Sequence, residues 1–459
     1  MSLNSTIAAI STPPGTGAVS MIRVSGEDAF SICDKIFRKN KNFSLSDAPK
    51  NTVHFGRIRE LGTNVVLDEV VAAVYRAPHS FTGEDTVEIF CHGGAVVTKR
   101  VLMEVIRAGA SQAEAGEFSK RAFLNGKLDL SEAEAIIELI NARTYSAEVV
   151  AARSLSGGAG RTIKDIRASL IDVLSHILAY IDFPDEDVDY IDENEVMRLI
   201  SDAASRIDAL LSTYKSGRAI TEGVDCAIVG RENAGKSSVM NRLTGEETSI
   251  VTAVPGTTRD VVSKSVSVGR AVLNLLDTAG VRETSDEVER IGVGRALSAI
   301  ERAQLVLYVA DVTDSRGADG EIISRIKEKP VIVVLNKCDL SGDADNVPGE
   351  YARLGECVRV SAKTGEGFEL LKEKIENMFI DSSLDVARDD IITAERHFER
   401  LTRAREALSE ALDGLHAGMT FDVVSIDIQA AADALGDISG QSAADEVIDR
   451  IFERFCIGK

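Results

Sequence analysis

The eight residues GRENAGKS (230–237) constrain the fold more than any other stretch of the sequence. They follow an apolar run with strand character, VDCAIV, and precede a segment with helical character. In a loop of this spacing, Gly230 and Gly235 let backbone N–H groups wrap phosphates. Lys236 reaches the β- and γ-phosphate oxygens, and the hydroxyl of Ser237 ligates magnesium. The sequence therefore predicts a P-loop α/β domain that binds a nucleoside triphosphate with Mg²⁺.

Three companion motifs narrow the base to guanine. Each ends a predicted strand: DTAG (277–280) follows AVLNLL, NKCD (336–339) follows VIVVL, and SAK (361–363) follows CVRV. Because open α/β sheets bind ligands at the carboxyl ends of their strands, we expect the motifs at one site. The carboxylate of Asp339 can accept both N–H donors of guanine, which adenine does not offer. The residues predicted to complete the pocket are Asn336, Ser361, Ala362 and Lys363.

The segments expected around the γ-phosphate lack one common catalytic group. PGTTRD (255–260) supplies Thr258 as a magnesium ligand, Asp277 faces the ion through water, and the N–H of Gly280 meets the γ-phosphate. Val281 follows at the position where Ras-like enzymes carry the glutamine that orients the attacking water. Another group must therefore orient water, and another positive charge must stabilise the transition state. The residues alone leave four carboxylates open as candidates: Glu283, Asp286, Glu287 and Glu289.

Three different sequence patterns follow one another along the chain. Together they predict a multidomain protein of class α/β and α. Short alternating runs bounded by Gly, Pro and Asn predict an N-terminal α+β domain over residues 1–118. Helical periodicity over residues 119–217 and 385–459 predicts a central helical domain. The alternating buried strands and helices of residues 218–384 predict a Ras-like P-loop α/β domain inserted in it, which is tolerated because domain termini often lie close together.

Two helical runs carry local signals. The run from 130 to 155 predicts one long helix, opened by a capping box of Ser131 and Glu134. The run from 443 to 455 predicts an amphipathic last helix. Its apolar face is expected to carry Ile448, Ile451, Phe452 and Phe455.

Composition excludes several classes of protein. The chain has 459 residues, 44% of them hydrophobic, which is enough for about three domain cores. Its formal charge of −21 disfavours broad nucleic-acid binding by the chain alone. The six cysteines form no CxxC pair, so neither a disulfide framework nor a zinc site is expected. There is no apolar run long enough to span a bilayer and no signal peptide, so we expect a cytoplasmic protein without membrane contact.

The whole chain resembles the bacterial and organellar tRNA modification GTPase family called MnmE or TrmE. The motifs that carry the resemblance are TPPGTGAVSMIRVSG, SFTGEDTVEIFCHGG, GEFSKRAFLNGKLDLSEAEA, IDFPDED, GRENAGKSS, GTTRD, DTAGVRETSDEVERIG and the terminal FCIGK. The resemblance implies a folate-binding N-terminal domain through which the protein forms a homodimer, a helical domain and an inserted G domain. One departure is Glu232, where the family commonly has proline.

The family activity implied is a potassium-activated GTPase acting in tRNA wobble-uridine modification. An FAD-containing partner of the GidA or MnmG family would join it in a heterotetramer. Together they would add an aminomethyl or carboxymethylaminomethyl group at C5, with the one-carbon unit taken from 5-formyl- or methylene-tetrahydrofolate. Two alternatives from the residues stay open: a ribosome-assembly or signalling GTPase without base chemistry, and a one-carbon transferase with a regulatory G domain.

The resemblance also assigns residues by motif. It implies that Glu289 positions the attacking water. The potassium ligands implied are Asn233, Thr252, Val254 and Thr257. Further GTP contacts implied are Ala234, Ser238, Thr278, Ala279 and Lys337. The folate contacts implied are Arg23, Glu88, Lys127 and Lys459.

Cys456, three residues from the end of the chain, has two interpretations. In the first, it is small apolar filling of the last helix. In the second, which the resemblance suggests, its thiol faces the folate site and takes part in tRNA modification as a nucleophile or proton donor.

Overall fold

The computed structural model describes residues 5–182, 192–245, 264–276, 299–314, 317–340, 349–441 and 444–459. The chain divides into two compact units, one formed by Met1–Ile137 with Leu435–Lys459 and the other by Glu138–Ala434. The first unit thus joins the N-terminal residues to the end of the chain. The division into three domains inferred from the sequence stays a prediction.

Both units contain helices and strands. The helices of the described residues are α1 (Ala29–Ile36), α2 (Ala95–Arg107), α3 (Glu117–Leu124), α4 (Leu130–Asn141), α5 (Tyr145–Leu155), α6 (Gly158–Asp182), α7 (Glu193–Thr221), α8 (Lys236–Gly245), α9 (Gly320–Ile326), α10 (Gly349–Ala352), α11 (Phe368–Phe379), α12 (Glu395–His416), α13 (Phe421–Ser439) and α14 (Asp445–Phe452). The strands are β1 (Ile7–Ile10), β2 (Val19–Ser25), β3 (Phe37–Arg38), β4 (Thr52–Arg59), β5 (Val66–Tyr75), β6 (Thr86–His92), β7 (Ser111–Gln112), β8 (Val224–Val229), β9 (Lys264–Val268), β10 (Ala271–Leu276), β11 (Leu305–Asp311), β12 (Val331–Asn336) and β13 (Glu356–Arg359). This mixture confirms the predicted fold class.

The first unit is built on a sheet of described strands in the order β3-β4-β5-β6-β2-β1-β7. Successive side chains on a strand point to opposite faces, so each strand serves two environments. On one face, Ile22 and Val24 of β2 and Ile89 of β6 are buried in a core that also takes in residues of α1 and α2. The opposite face carries Arg23, which pairs in register with Glu88.

Helix α3 packs against β1, and the last helix, α14, packs against α4. Phe118 of α3 is fully buried with Ile7 and Ala9 of β1, on the face opposite α1 and α2. The apolar face of α14 is buried against α4, which confirms the predicted amphipathic last helix. The buried residues of this helix are Ile448, Ile451 and Phe452, and Phe455 is buried with them three residues beyond its end.

The prediction of one long helix over 130–155 is wrong, because the chain breaks between α4 and α5. The side chain of Thr144 caps the second helix by accepting from the N–H of Ala147 at 3.0 Å. The predicted capping box of Ser131 and Glu134 is also wrong by two residues, because the reciprocal hydrogen bonds join Asp129 and Glu132. Asp129 accepts from the N–H of Glu132, and Glu132 accepts from the N–H of Asp129, both at 2.8 Å. Ser131 lies one residue inside the helix, where its hydroxyl donates to Asp129 instead.

The second unit contains the predicted α/β sheet, in the order β13-β12-β11-β8-β10-β9. Its described strands pair in parallel except β9, which is antiparallel to β10. Both faces of the central strands are buried, as a parallel sheet requires. Strands β8, β12 and β13 therefore end at one edge, where the loops that follow them can form a site.

Among the residues that the structure describes, no helix combines the length and the apolar character that crossing a membrane requires.

Candidate functional site

The loop between β8 and α8 has the backbone of a phosphate cradle. Gly230, Asn233 and Gly235 have φ values of 144°, 59° and 93°. A Cβ at Gly230 would collide with the carbonyl oxygen of Val309, and a Cβ at Gly235 with the side-chain amide of Asn336. Glycine is therefore required at both positions on steric grounds. Asn233, Ser237 and Ser238 are exposed around the loop.

The side chain of Lys236 lies inside this loop. Its Nζ donates to the carbonyl oxygens of Gly230 at 2.9 Å and Arg231 at 2.8 Å. Burial lowers the pKa of Lys236, and the charge of Glu232 acts in the opposite direction. The ammonium group is thus held where phosphate oxygens, which are charged, would be stronger acceptors than the two carbonyls.

Asn336 connects the phosphate loop to the loop that follows β13. It is 2% exposed. Its Nδ2 donates to the carbonyl oxygen of Ala234 at 3.0 Å, and its Oδ1 accepts from the N–H of Ala362 at 3.0 Å. The amide group is therefore engaged with protein backbone on both sides, and it fixes the distance between the phosphate loop and the predicted base pocket.

Asp339 and Ser361 meet at the predicted base pocket. The Oγ of Ser361, a fully buried residue, donates to Oδ1 of Asp339 at 2.7 Å. The same Oγ accepts from the N–H of Thr364 at 3.2 Å. Asp339 itself is exposed, as is Lys363. The carboxylate is thus oriented by one hydroxyl while it remains open to a ligand.

Lys337 takes part in a separate ion pair. Its Nζ lies 2.6 Å from Oδ2 of Asp311, at the end of β11. Burial raises the pKa of Asp311, but the hydrogen bonds from Lys337 and Thr313 outweigh that effect and hold the pKa below its usual range. The pair anchors the backbone at Lys337, which has a φ of 66°.

Sequence reasoning missed one residue of the phosphate loop, Arg231. Its Nε donates to the carbonyl oxygen of Gly317 at 2.8 Å and its Nη2 to that of Ala318 at 3.3 Å. Arg231 therefore braces the loop against the segment after β11. The motif leaves this position unspecified, so the sequence carried no signal for the contact.

Part of the predicted G-domain site lies outside the described residues. These predictions are Thr252, Val254, Thr257, Thr258, Asp277, Thr278, Ala279, Gly280 and Glu289. The candidate carboxylates Glu283, Asp286 and Glu287 lie outside them as well.

A second candidate site lies in the first unit, around the Arg23–Glu88 pair. Nε and Nη2 of Arg23 both lie 2.9 Å from Oε1 of Glu88, and the two side chains are 12% and 13% exposed. The guanidinium carbon of Arg23 is 4.9 Å from the ring centroid of Phe81 and 5.5 Å from that of Phe118. Nη1 of Arg23 is buried and has no hydrogen-bond partner among the described residues. The pair is thus walled by two aromatic rings and keeps one donor for a further group.

Tyr75 belongs to the same site, and sequence reasoning did not find it. It is the last residue of β5, and its side chain interacts with Glu88. Burial and then the negative charge of Glu88 raise the pKa of Tyr75, although Arg23 acts in the opposite direction. The phenol therefore stays protonated and can donate. Only the pairing of β5 with β6 brings it close, and that pairing has no local signature.

The other predicted folate residues, Lys127 and Lys459, contact other parts of the first unit. Lys127 is exposed, and its Nζ donates to the carbonyl oxygen of Pro78 at 3.1 Å. The carbonyl oxygen of Lys459 accepts from the N–H of Phe118 at 3.2 Å, so the last residue is tied to one aromatic wall.

The C-terminal tail after Cys456 is held by hydrogen bonds to two other segments of the first unit. Ser11 Oγ donates to the carbonyl oxygen of Gly458 at 2.8 Å, and Ile457 bridges to Ala115. Phe455 is buried, whereas Cys456 is exposed. The interpretation of Cys456 as apolar filling of the last helix is therefore wrong, because the thiol is exposed and lies beyond Phe452, where α14 ends.

The geometry of the second unit defines a class of protein. A glycine-dependent loop joins a buried parallel strand to a helix, its lysine lies within the loop, and the Asn336–Asp339 motif lies at the same sheet edge. These features define a P-loop GTPase.

Comparisons with known proteins extend this class to a family. The family model described as MnmE helical domain matches residues 130–456, and the one described as GTP-binding protein TrmE N-terminus matches residues 6–127. The tRNA modification GTPase MnmE of Acetivibrio thermocellus is 41% identical over 99% of both chains. That of Listeria welshimeri is 42% identical, also over 99% of both chains. The chain belongs to the tRNA modification GTPase MnmE family.

One solved structure resembles about a third of the chain. The G domain of the T. maritima FeoB iron transporter is 29% identical and covers 34% of this chain and 97% of its own, with a TM-score of 0.27. A TM-score of that size adds no weight to the assignment.

Proposed function

We propose that this chain is a potassium-activated GTPase that modifies C5 of the wobble uridine of tRNAs together with an FAD-containing partner of the GidA or MnmG family. The aminomethyl or carboxymethylaminomethyl group takes its one-carbon unit from 5-formyl- or methylene-tetrahydrofolate. The observation that carries the proposal is the walled Arg23–Glu88 pair, whose Nη1 has no hydrogen-bond partner in the part of the chain that the structure describes. GTP hydrolysis alone makes no use of such a pair, whereas one-carbon chemistry needs a folate site.

The second unit is suited to GTP and Mg²⁺. The backbone of the phosphate loop wraps the phosphates, Lys236 binds the β and γ oxygens, and Asp339 accepts the guanine N–H groups. Ser237, exposed at the first turn of α8, holds Mg²⁺ with Thr258. Bound Mg²⁺ neutralises charge that develops on the transferred phosphoryl group.

The site for potassium centres on Asn233. This residue is exposed and has a positive φ, so its amide oxygen is available beside the phosphate loop. Thr252, Val254 and Thr257 complete the ligand set in this proposal. Bound K⁺ supplies the positive charge that an arginine finger supplies in other GTPases, and Glu289 orients the attacking water in place of the glutamine absent at Val281.

The Arg23–Glu88 site is suited to a reduced pterin. Glu88 accepts hydrogen bonds from the pterin N–H groups, and Nη1 of Arg23 donates to its carbonyl oxygen. Phe81 and Phe118 exclude water beside the ring. Lys127 and Lys459 meet the charged glutamyl tail.

Cys456 acts in the tRNA modification step in this proposal. Its exposure supports a chemical role, because a thiol must be accessible to react or to move a proton. Phe455 and Gly458, which are buried, hold the backbone on either side of Cys456 in place without covering the thiol.

The chain works as a homodimer that contacts tRNA with its partner protein. Val53 and Phe55 of β4 are 67% and 60% exposed, which supports an apolar surface that a second copy covers. Because the net charge of −21 repels phosphate, the heterotetramer partner supplies much of the basic surface for tRNA. The assembly is cytoplasmic.

A folate titration and measurements of GTP hydrolysis, all on the full chain, test the proposal. We expect 5-formyltetrahydrofolate to bind in a calorimeter, and GTP hydrolysis to be much faster in K⁺ than in Na⁺ at equal ionic strength. Glu289→Ala should lower hydrolysis by about a hundredfold and leave GTP affinity nearly intact. A chain that hydrolyses GTP equally in both salts and binds no folate would favour the ribosome-assembly or signalling alternative.

A further inference from the structure

Arg121 joins the two segments that wall the Arg23–Glu88 pair. Its side chain is 3% exposed. Its Nη1 lies 3.2 Å from Oε1 of Glu84, in the loop before β6, and its Nη2 lies 2.8 Å from Oε1 of Glu117, the first residue of α3. Arg121 belongs to α3 itself, so its pair with Glu84 fixes the loop to the helix, while its pair with Glu117 holds the guanidinium within the helix.

The same two segments carry the aromatic walls. Phe81 lies three residues before Glu84, and Phe118 directly follows Glu117. Their ring centroids lie 4.9 and 5.5 Å from the guanidinium carbon of Arg23. A movement of the loop relative to α3 would therefore change the space around that guanidinium.

Two more hydrogen bonds complete this frame. Ser25 Oγ donates to Oε2 of Glu84 at 2.7 Å, and Ser25 lies on the same face of β2 as Arg23. At the end of α3, Nδ2 of Asn125 donates to the carbonyl oxygen of Thr82 at 2.7 Å. Glu84 thus connects the loop to β2 and, through Arg121, to α3. The Asn125–Thr82 hydrogen bond is a second connection between the loop and α3.

We propose that Arg121 is a positioning residue for the ligand of the Arg23–Glu88 pair, acting through Glu84 and Glu117 on the two aromatic walls. The inference rests on the proposed function, in which that ligand is a reduced pterin. Arginine is the suitable residue because its planar fork places two donors at fixed positions, whereas lysine offers a single point charge.

The test uses full-length variants titrated with 5-formyltetrahydrofolate. The first is the double variant Glu84→Gln with Arg121→Gln, which removes both charges together and leaves amides that can still hydrogen-bond. The second is Arg121→Lys, which keeps the charge and loses the fork. The matched control is Glu104→Gln with Arg107→Gln, since that pair also contains one buried partner, the Glu104 carboxylate, but lies on α2, against the other face of the sheet.

We expect the Glu84/Arg121 double variant to bind the folate about tenfold or more weakly than the parent, and Arg121→Lys to show a smaller loss in the same direction. GTPase activity should be unchanged in both, and the control should bind like the parent. A melting temperature that falls while the folate affinity stays within twofold of the parent overturns the inference, because Arg121 would then be only structural.

A double variant that fails to fold and a parent that binds no folate are two results that each still decide the inference. If the double variant does not fold, Arg121→Lys decides, and an affinity within twofold of the parent overturns the inference. If the parent itself binds no folate, the proposed function fails and this inference fails with it. Binding by the parent with unchanged binding by the variants overturns the inference alone.

Discussion

Asn336 and Asp339 belong to one motif, but their surroundings give them different tasks. The Asn336 amide is buried and engaged with Ala234 and Ala362, whereas the Asp339 carboxylate is exposed and held by one hydroxyl. At the scale of single residues, the first contributes to the fold of the site and the second to the ligand.

Asn336→Ala should therefore lower stability and GTP affinity together. It leaves the backbone groups of Ala234 and Ala362 without their partner, which costs about 1–3 kcal/mol. Thermal unfolding and nucleotide titration measure the two effects. Asp339→Asn is the matched control, and it should weaken GTP binding with little change in stability. Lower affinity for Asn336→Ala at unchanged stability would contradict the assigned role.

Asp34 predicts a pH-dependent contribution to stability. It accepts from Ser44 Oγ, the N–H of Leu45 and the N–H and Oγ of Ser46, at 2.6 to 3.1 Å. Burial raises the pKa of Asp34, but these hydrogen bonds outweigh it and the net pKa is lowered. A depressed carboxyl pKa stabilises the fold above the unfolded value of about 3.9, and the contribution is lost as pH falls through the folded value.

Asp34→Asn should therefore destabilise the chain by about 1–3 kcal/mol at neutral pH, and the difference from the parent should shrink below about pH 4. Urea denaturation at pH 7 and pH 3 measures it. Asp47→Asn, an exposed neighbour, should show no such difference. A penalty for Asp34→Asn that is equal at both pH values would refute the explanation.

At the scale of elements, contiguous signals were predictable and long-range pairings were not. The phosphate loop follows from four specified positions between a strand and a helix, and the strand β8 and helix α8 lie where the sequence places them. Tyr75, Phe81 and Phe118 reach the Arg23–Glu88 pair through strand register and the packing of α3. Residues 23 and 88 are 65 positions apart, so their meeting depends on the order of the whole sheet.

The C-terminal tail gives a prediction at this scale. Gly458 has a φ of 98°, and a Cβ there would collide with the carbonyl oxygen of Ile10. Gly458→Ala should therefore release the tail from β1 and reduce wobble-uridine modification without changing GTP hydrolysis. Gly418→Ala is the matched control, because it has a φ of 75° but open space around a Cβ. Full modification by Gly458→Ala would show that the docked tail is dispensable.

At the scale of the whole molecule, the two ends of the chain belong to one compact unit. Residues 435–459 belong to the same compact unit as residues 1–137. Composition and periodicity predicted domain types and an insertion, and they assigned the last helix to the predicted helical domain. They gave no information on its pairing with the N-terminal residues. That pairing depends on the burial of Phe452 and Phe455 against α4, and it places Cys456 in the unit that carries the Arg23–Glu88 site.

The central claim is that GTP hydrolysis and a folate site on one chain serve wobble-uridine modification. The most direct measurement is mass spectrometry of wobble nucleosides in tRNA from cells that lack this protein. The cells are complemented with the parent chain, with Lys236→Ala or with Arg23→Ala. We expect the parent to restore C5 aminomethyl-type groups and neither variant to do so. Wobble nucleosides that are identical with and without the protein would contradict it.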